Sequence, residues 1–217
     1  MTVPWTAAVR ERTLIVTFPA LYRVLSWAPL GGGLREAKAV LNHQVRTDDY
    51  PAYEAAVYLQ ALARRLDVPL PAVGLMTGVQ MGRLVRKVVR QDLLSVECFA
   101  TVGLSNALTV GDPATYEERP GTINLIVLVN QPLLDAALAE AVAITTEAKV
   151  RALYAARVKS TVSDALATGT GTDCVAVACP PGTPAYEYCG KHTRLGELLG
   201  QVVYDAVTEG LRQAHES

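Results

Sequence analysis

The segment Ala-Thr-Gly-Thr-Gly-Thr-Asp, Ala167 to Asp173, runs without a linker into the apolar run Cys174 to Cys179. Repeated glycine and threonine steps are excluded from a helix interior by their entropy cost. A short apolar run bounded by such residues reads as a buried strand. The chain must therefore place a turn of small residues directly at the mouth of a core strand, where something approaches the backbone closely. The simplest reading is a tight turn entering the sheet, and the rest of the sequence bears on whether it is more than that.

The same arrangement recurs along the chain. Thr13 to Phe18 reads as a strand that Pro19 breaks, and Tyr22 to Ala28 as its hairpin partner. Gly31, Gly32 and Gly33 follow as a turn that an anion could approach. Arg35 to Val45 favours a strand. Pro51 to Leu66 predicts a helix, with Ala55, Tyr58, Leu59, Leu62 and Leu66 on one face and Asp49 near its N-cap. Ala72 to Val79, Arg83 to Arg90 and Leu93 to Val102 read as strands, the last two joined by a turn at Gln91-Asp92. Gly121 to Asn130 is a branched apolar run suited to burial on both faces. Pro132 to Tyr154 has helical periodicity, with Thr145-Thr146 as a candidate break, and Arg194 to Arg212 is a terminal amphipathic helix. The expected architecture is one α/β or α+β domain over residues 1–217, a mixed sheet covered by about three main helices.

Length and composition suit this. The 217 residues are 50% hydrophobic and 19% charged, enough for one sizeable core. Mean hydropathy is +0.21, yet the apolar runs are too short to predict a transmembrane helix. Met1 to Arg12 lacks the apolar stretch of a signal peptide, so the cytoplasm is the expected compartment. A formal net charge of -1 argues against a nucleic-acid partner. Cys98, Cys174, Cys179 and Cys189 form no Cys-x-x-Cys pair, and Cys98 and Cys174 read as reduced core residues. Cys189 near His192 raises a thiol or metal site, but further ligands at suitable spacing are scarce and no protein-bound metal is expected.

Candidate chemistry falls on the polar islands between the apolar runs. Loops at the ends of sheet strands are where ligands dock in such folds. The groups suited to proton transfer or nucleophilic attack are His192, Glu147, Asp173, Thr170, Thr172, Lys149 and Thr193, with Asp112, Glu197 and Lys191 nearby. Each also has an ordinary reading. Glu147 with Arg151 is a helix-surface pair, Asp173 caps a turn, and His192 is a satisfied loop histidine. Nucleotide-binding glycine motifs and the Gly-x-Ser-x-Gly elbow are absent from the sequence.

Taken in order, the islands resemble the adenosylcobinamide amidohydrolase family of corrinoid salvage. The resemblance rests on Gly31-Gly32-Gly33, Asn42-His43-Gln44-Val45, Met76-Thr77-Gly78, Thr101 to Ala107 and Gly111-Asp112. It continues through Gly121-Thr122-Ile123-Asn124, Thr146 to Lys149, Ala167 to Asp173, and Gly190-x-His192-Thr193-x-Leu195-Gly196-Glu197. The chain departs from the pattern at Thr101-Val102 and in the thiol-rich Cys174 strand. The resemblance implies a hydrolase acting on a linear, non-peptide amide of adenosylcobinamide, with products adenosylcobyric acid and 1-aminopropan-2-ol. Its partner is then a small corrinoid whose cobalt belongs to the substrate, with no cofactor bound by the protein. The expected wall of the binding site is Gly31, Gly32, Gly33, Asn42, His43, Thr77, Asn106, Asp112, Asn124, Thr168, Gly169, Thr170 and Gly171. His192 or Glu147 is expected to activate water, Asp173 to orient it, and the amides of residues 169–171 to hold the oxyanion; Thr170 or Thr172 as nucleophile is the rival. A non-catalytic corrinoid binder and a phosphate-ligand binder are the other functions considered. The oligomeric state is left open, a homo-oligomer included.

Overall fold

A strand of 14 residues, Thr13–Ser26 (β2), ties the molecule together. In the computed structural model, which describes residues 3–46, 54–114 and 121–215, it pairs on one side with Gly33–Gln44 (β3) along its length. On the other side it is shared by two partners. Thr6–Arg10 (β1) covers its first half and Cys174–Cys179 (β10) its second. The sequence suggests two strands broken at Pro19, but the strand is continuous. The proline sits between the two paired stretches, where the register with β3 shifts between Thr17 and Tyr22 and no ladder N–H is needed there. Phe18 and Tyr22 stack across that irregularity with ring centroids 4.3 Å apart.

The remaining elements are Ala55–Arg65 (α1), Ala72–Thr77 (β4), Val85–Gln91 (β5), Leu94–Val102 (β6), Ala107–Leu108 (β7), Ile123–Val129 (β8), Asp135–Ala155 (α2), Gly169–Thr170 (β9) and Arg194–His215 (α3). The sheet order is β4-β3-β2-β10-β8-β6-β5, with β1 beside β2, and β7 and β9 form a separate two-stranded ribbon. The pairs β3–β4 and β8–β10 are parallel and the other pairs of the large sheet antiparallel, so the chain is a single α/β domain with a mixed sheet and, among the described residues, three α-helices and one 3-10 turn at Met81–Arg83. The expected N-cap at Asp49 and first turn at Pro51 lie outside the described residues. Among those described, no helix is long and apolar enough to cross a membrane.

Alternation along the strands sorts the side chains into layers. Leu125, Val127, Val175, Val177 and Cys98 face α2 and α3, whose Leu138, Ala141, Leu195, Leu199 and Val203 complete that core. The opposite faces of the same strands, at Phe99, Ile126, Leu128, Ala176 and Ala178, pack on Val16, Val24, Val40, Val73 and Leu75 from β2, β3 and β4. The sheet therefore curls over itself. A third cluster seats α1, through Leu59, Leu62 and Ala63, on Ala39, Leu41 and Ala72. The expected break in α2 is absent: the hydroxyls of Thr145 and Thr146 bond back to the carbonyls of Ala141 and Val142, and the helix continues.

Candidate active site

The curl brings the polar islands to one end of the sheet. Three loops meet there, after β4, after β6 and before β8. The amide of Gly103 donates to the carbonyl of Thr122 at 3.1 Å, and a Cβ on Gly103 would lie 2.9 Å from Val79. The fourth wall is the turn 169–173. The amide of Gly171 donates to the carbonyl of Asn106, and a Cβ on Gly171 would lie 2.7 Å from the Asn106 side-chain nitrogen. These small residues are required because neighbouring chain fills the space beside them.

At the centre is a buried ion pair. The Lys149 ammonium, on α2, donates to Asp173 Oδ2, and the two side chains are 8% and 10% exposed. The other oxygen of Asp173 accepts three bonds, from the Thr170 hydroxyl, the Thr170 amide at 3.0 Å and the Ile123 amide at 3.2 Å. The carboxylate is thus held by four donors from three elements. Gly169 makes room for it: a Cβ there would lie 2.7 Å from the Lys149 nitrogen and overlap the carboxylate. Alongside, the hydroxyls of Thr122 and Thr172 are 2.6 Å apart, and Thr172 also donates to the Gly121 carbonyl.

A second polar group lies one residue further along β8. Asn124 donates to the Asn42 side-chain oxygen at 2.9 Å and to the Met76 carbonyl at 2.7 Å, while Asn42 donates to Thr101 at 3.1 Å. Among the described residues, Asn124 Oδ1 is buried without a hydrogen-bond partner. Thr77 is buried close by and accepts the Val79 amide.

The structure thus brings Lys149, Asp173, Thr170, Thr172, Gly169, Gly171 and Asn106 into one cluster, with Asn124, Asn42 and Thr77 beside it. The other expected residues stand elsewhere. Glu147 precedes Lys149 by two positions, about 200° around the helix; it is exposed and pairs with Lys191 at 2.6 Å. His192 is exposed on the turn that follows Lys191. That turn has a structural purpose: Thr193 caps α3 through a 2.9 Å bond from the Gly196 amide, and a side chain on Gly196 would overlap the carbonyls of Cys189 and Gly190. His43 points the opposite way from Asn42, toward α1, bonded to Thr13 at 2.8 Å and to Tyr58 at 3.0 Å. Thr168 accepts the Val110 amide, and Asp112 accepts the Thr109 amide and the Ser160 hydroxyl. The Ser160 hydroxyl and the Thr109 amide hold the Asp112 carboxyl below the usual range. Both residues fasten the loop 109–112. Gly31 and Gly33, at φ +69° and +93°, turn β2 into β3. The space beside Gly31 and Gly32 is filled by the carbonyl oxygens of Ala72 and Ala28, a lining that repels an anion.

Two expectations about chemistry change with this geometry. Of the three amides expected to hold an oxyanion, Thr170 N–H is taken by Asp173 and Gly171 N–H by Asn106. Cys189 is fully buried, and burial followed by the nearby Glu140 charge pushes its thiol up to about 12, so it is not a thiolate near neutrality. Among the described residues no group of three metal-ligating side chains is assembled. Sequence reasoning missed Thr101 and Thr122 as members of the site, and Trp27, whose indole N–H donates to the Asp173 carbonyl at 2.6 Å.

Comparison with known proteins places the chain as a whole. The family model described as adenosylcobinamide amidohydrolase matches residues 4–217. The chain belongs to that family. An adenosylcobinamide amidohydrolase of Methanosarcina mazei is 29% identical over 213 residues, 94% of this chain and 96% of the relative. Another of that name from Halobacterium salinarum is 37% identical over 119 residues, 52% of this chain and 48% of its own. An uncharacterised protein of Methanocaldococcus jannaschii is 32% identical over 226 residues, 92% of this chain and 86% of the relative. Family membership makes the chain an amidohydrolase by class, and the buried Lys149–Asp173 pair is the chemical feature at the meeting point of its polar turns.

Proposed function

We propose that the chain hydrolyses the amide joining the aminopropanol arm to the corrin ring of adenosylcobinamide. The carbonyl carbon–nitrogen bond breaks; water supplies a hydroxyl to the carbon and a proton to the leaving nitrogen. The products are adenosylcobyric acid and 1-aminopropan-2-ol. One observation carries the reading: a buried ammonium–carboxylate pair at the junction of glycine, threonine and asparagine turns, in a chain matched along 4–217 by this family. Cobalt travels with the substrate, a cytoplasmic corrinoid, and the protein supplies amides, hydroxyls and one ammonium group.

In this scheme Lys149 faces the developing oxyanion. An ammonium has three donors, and the one given to Asp173 fixes the direction of the others. The side-chain amides of Asn42, Asn106 and Asn124 meet the amide arms of the corrinoid. A covalent route has its own supporting observation. The Thr170 hydroxyl points its proton at Asp173, leaving its lone pairs for attack, whereas Thr172 donates to the Gly121 carbonyl.

The test is anaerobic turnover of adenosylcobinamide followed by mass detection of adenosylcobyric acid. Asp173→Asn and Lys149→Ala are each expected to lower kcat at least about 100-fold, the usual cost of losing an oxyanion donor. Wild-type turnover in both variants would sink the scheme. Rapid-quench trapping of a cobyryl ester on Thr170 would select the covalent route. Binding without any product would make the chain a corrinoid-binding protein instead.

A further inference from the structure

We infer that the indole face of Trp27 is the platform against which the corrin ring is laid, a role that rests on the corrinoid reading above. Trp27 lies at the end of β2 with 51% of its surface exposed. A large aromatic left this open forgoes a substantial part of its burial free energy. A single exposed apolar residue needs no explanation by itself. This one is unusual in being fixed.

Its indole N–H donates to the carbonyl of Asp173 at 2.6 Å. Its neighbours are pinned as well. Ser26 and Ala28 are 4% and 5% exposed, the Ser26 hydroxyl donates to the Val175 carbonyl at 2.7 Å, and the Ala28 amide donates to that hydroxyl at 3.0 Å. The ring is therefore held in one place beside the residue whose carboxylate binds Lys149 and Thr170. Because the N–H is already used, what Trp27 still offers a ligand is an apolar π-face. An anionic or phosphate-bearing ligand gains little from such a surface, whose quadrupole presents negative potential. A broad, flat macrocycle with polar arms gains from it directly: the ring stacks, and the arms reach the asparagine and threonine groups alongside. Val110, 86% exposed, stands beyond the other end of the same turn, its amide bonded to Thr168 at 2.9 Å. The polar turn is thus flanked by apolar surface on both sides.

The bond to Asp173 offers a competing explanation, that Trp27 matters only as an anchor for the turn. The variants Trp27→Phe, Trp27→Leu and Trp27→Ala separate the two. All three lose the N–H, but only phenylalanine keeps an aromatic face. Binding of adenosylcobyric acid, the proposed product that retains the ring, is measured by equilibrium dialysis, with thermal melts confirming that each variant is folded. The expected result is binding about tenfold weaker in the Leu and Ala variants and within about threefold of wild type in the Phe variant, in line with the worth of an aromatic stack. A Phe variant as weak as Ala would overturn the inference and leave Trp27 an anchor. Wild-type binding in the Ala variant would overturn it too, with the hydrolase reading untouched. Absence of corrinoid binding in the wild type would bring down both.

Discussion

Lys149 and Asp173 are separated by 24 positions, and each can be picked out of its own polar island in the sequence. Their pairing cannot, because it depends on how the 21-residue helix that carries Lys149 packs beside the turn that carries Asp173. The same holds for Asn42 and His43. Both are polar neighbours on one strand, yet strand alternation sends Asn42 into the site and His43 to α1. Burial of the ion pair has an energetic consequence. Removing one member strands the other charge, which typically costs about 3–5 kcal/mol, whereas removing both costs much less. Lys149→Met alone is expected to lower stability by roughly 3 kcal/mol, and Lys149→Met with Asp173→Asn by clearly less than the sum of the single changes. Urea titrations of the four forms measure the coupling; strict additivity would mean the pair is solvated and not the buried centre described above.

Elements with strong periodicity are legible in advance. The strand Cys174–Cys179 and the helix from Arg194 follow from pattern alone. What misleads is a residue whose local preference is met by context. Pro19 stays inside a strand because it occupies an irregular stretch, and Thr145 and Thr146 stay inside a helix because their hydroxyls bond back. The N-terminus of α3 shows the converse, a motif that looks catalytic and is partly architectural. Thr193 accepts the Gly196 amide and also donates to the Gly190 carbonyl at 2.8 Å. Thr193→Ala is expected to cost about 1 kcal/mol, the usual loss of a cap. Gly196→Ala should cost more, since its Cβ would overlap two carbonyl oxygens of the preceding turn, where backbone has no room to yield. Thermal melts rank the two; a harmless Gly196→Ala would mean that the turn is not packed on α3 as described.

For the molecule as a whole, the cysteines report how completely the layers close. All four are buried: Cys98 on β6, Cys174 and Cys179 on β10, and Cys189 on the turn before α3. Burial is the leading cause of every thiol's upward displacement: to about 12 for Cys174 and Cys189, and upward for Cys98 and Cys179. Tyr22 is also pushed up to about 12 by burial. In the unfolded chain thiols ionise near pH 8.5. Above that pH the unfolded state therefore binds fewer protons than the folded one, and stability falls as pH rises. The stabilisation is intact below about pH 8.5 and drains away between there and about pH 12. Two measurements follow, the first at pH 8. An aromatic disulfide reagent should find almost no fast-reacting thiol in the native chain, and four after denaturation. Urea melts from pH 8 to pH 10 should show declining stability, and Cys174→Ala should decline less steeply, because one of the titrating groups has been removed. Rapid labelling of any cysteine in the native state would contradict this packing, since each thiol can be reached only by parting the sheet from its helices or from its own curled face.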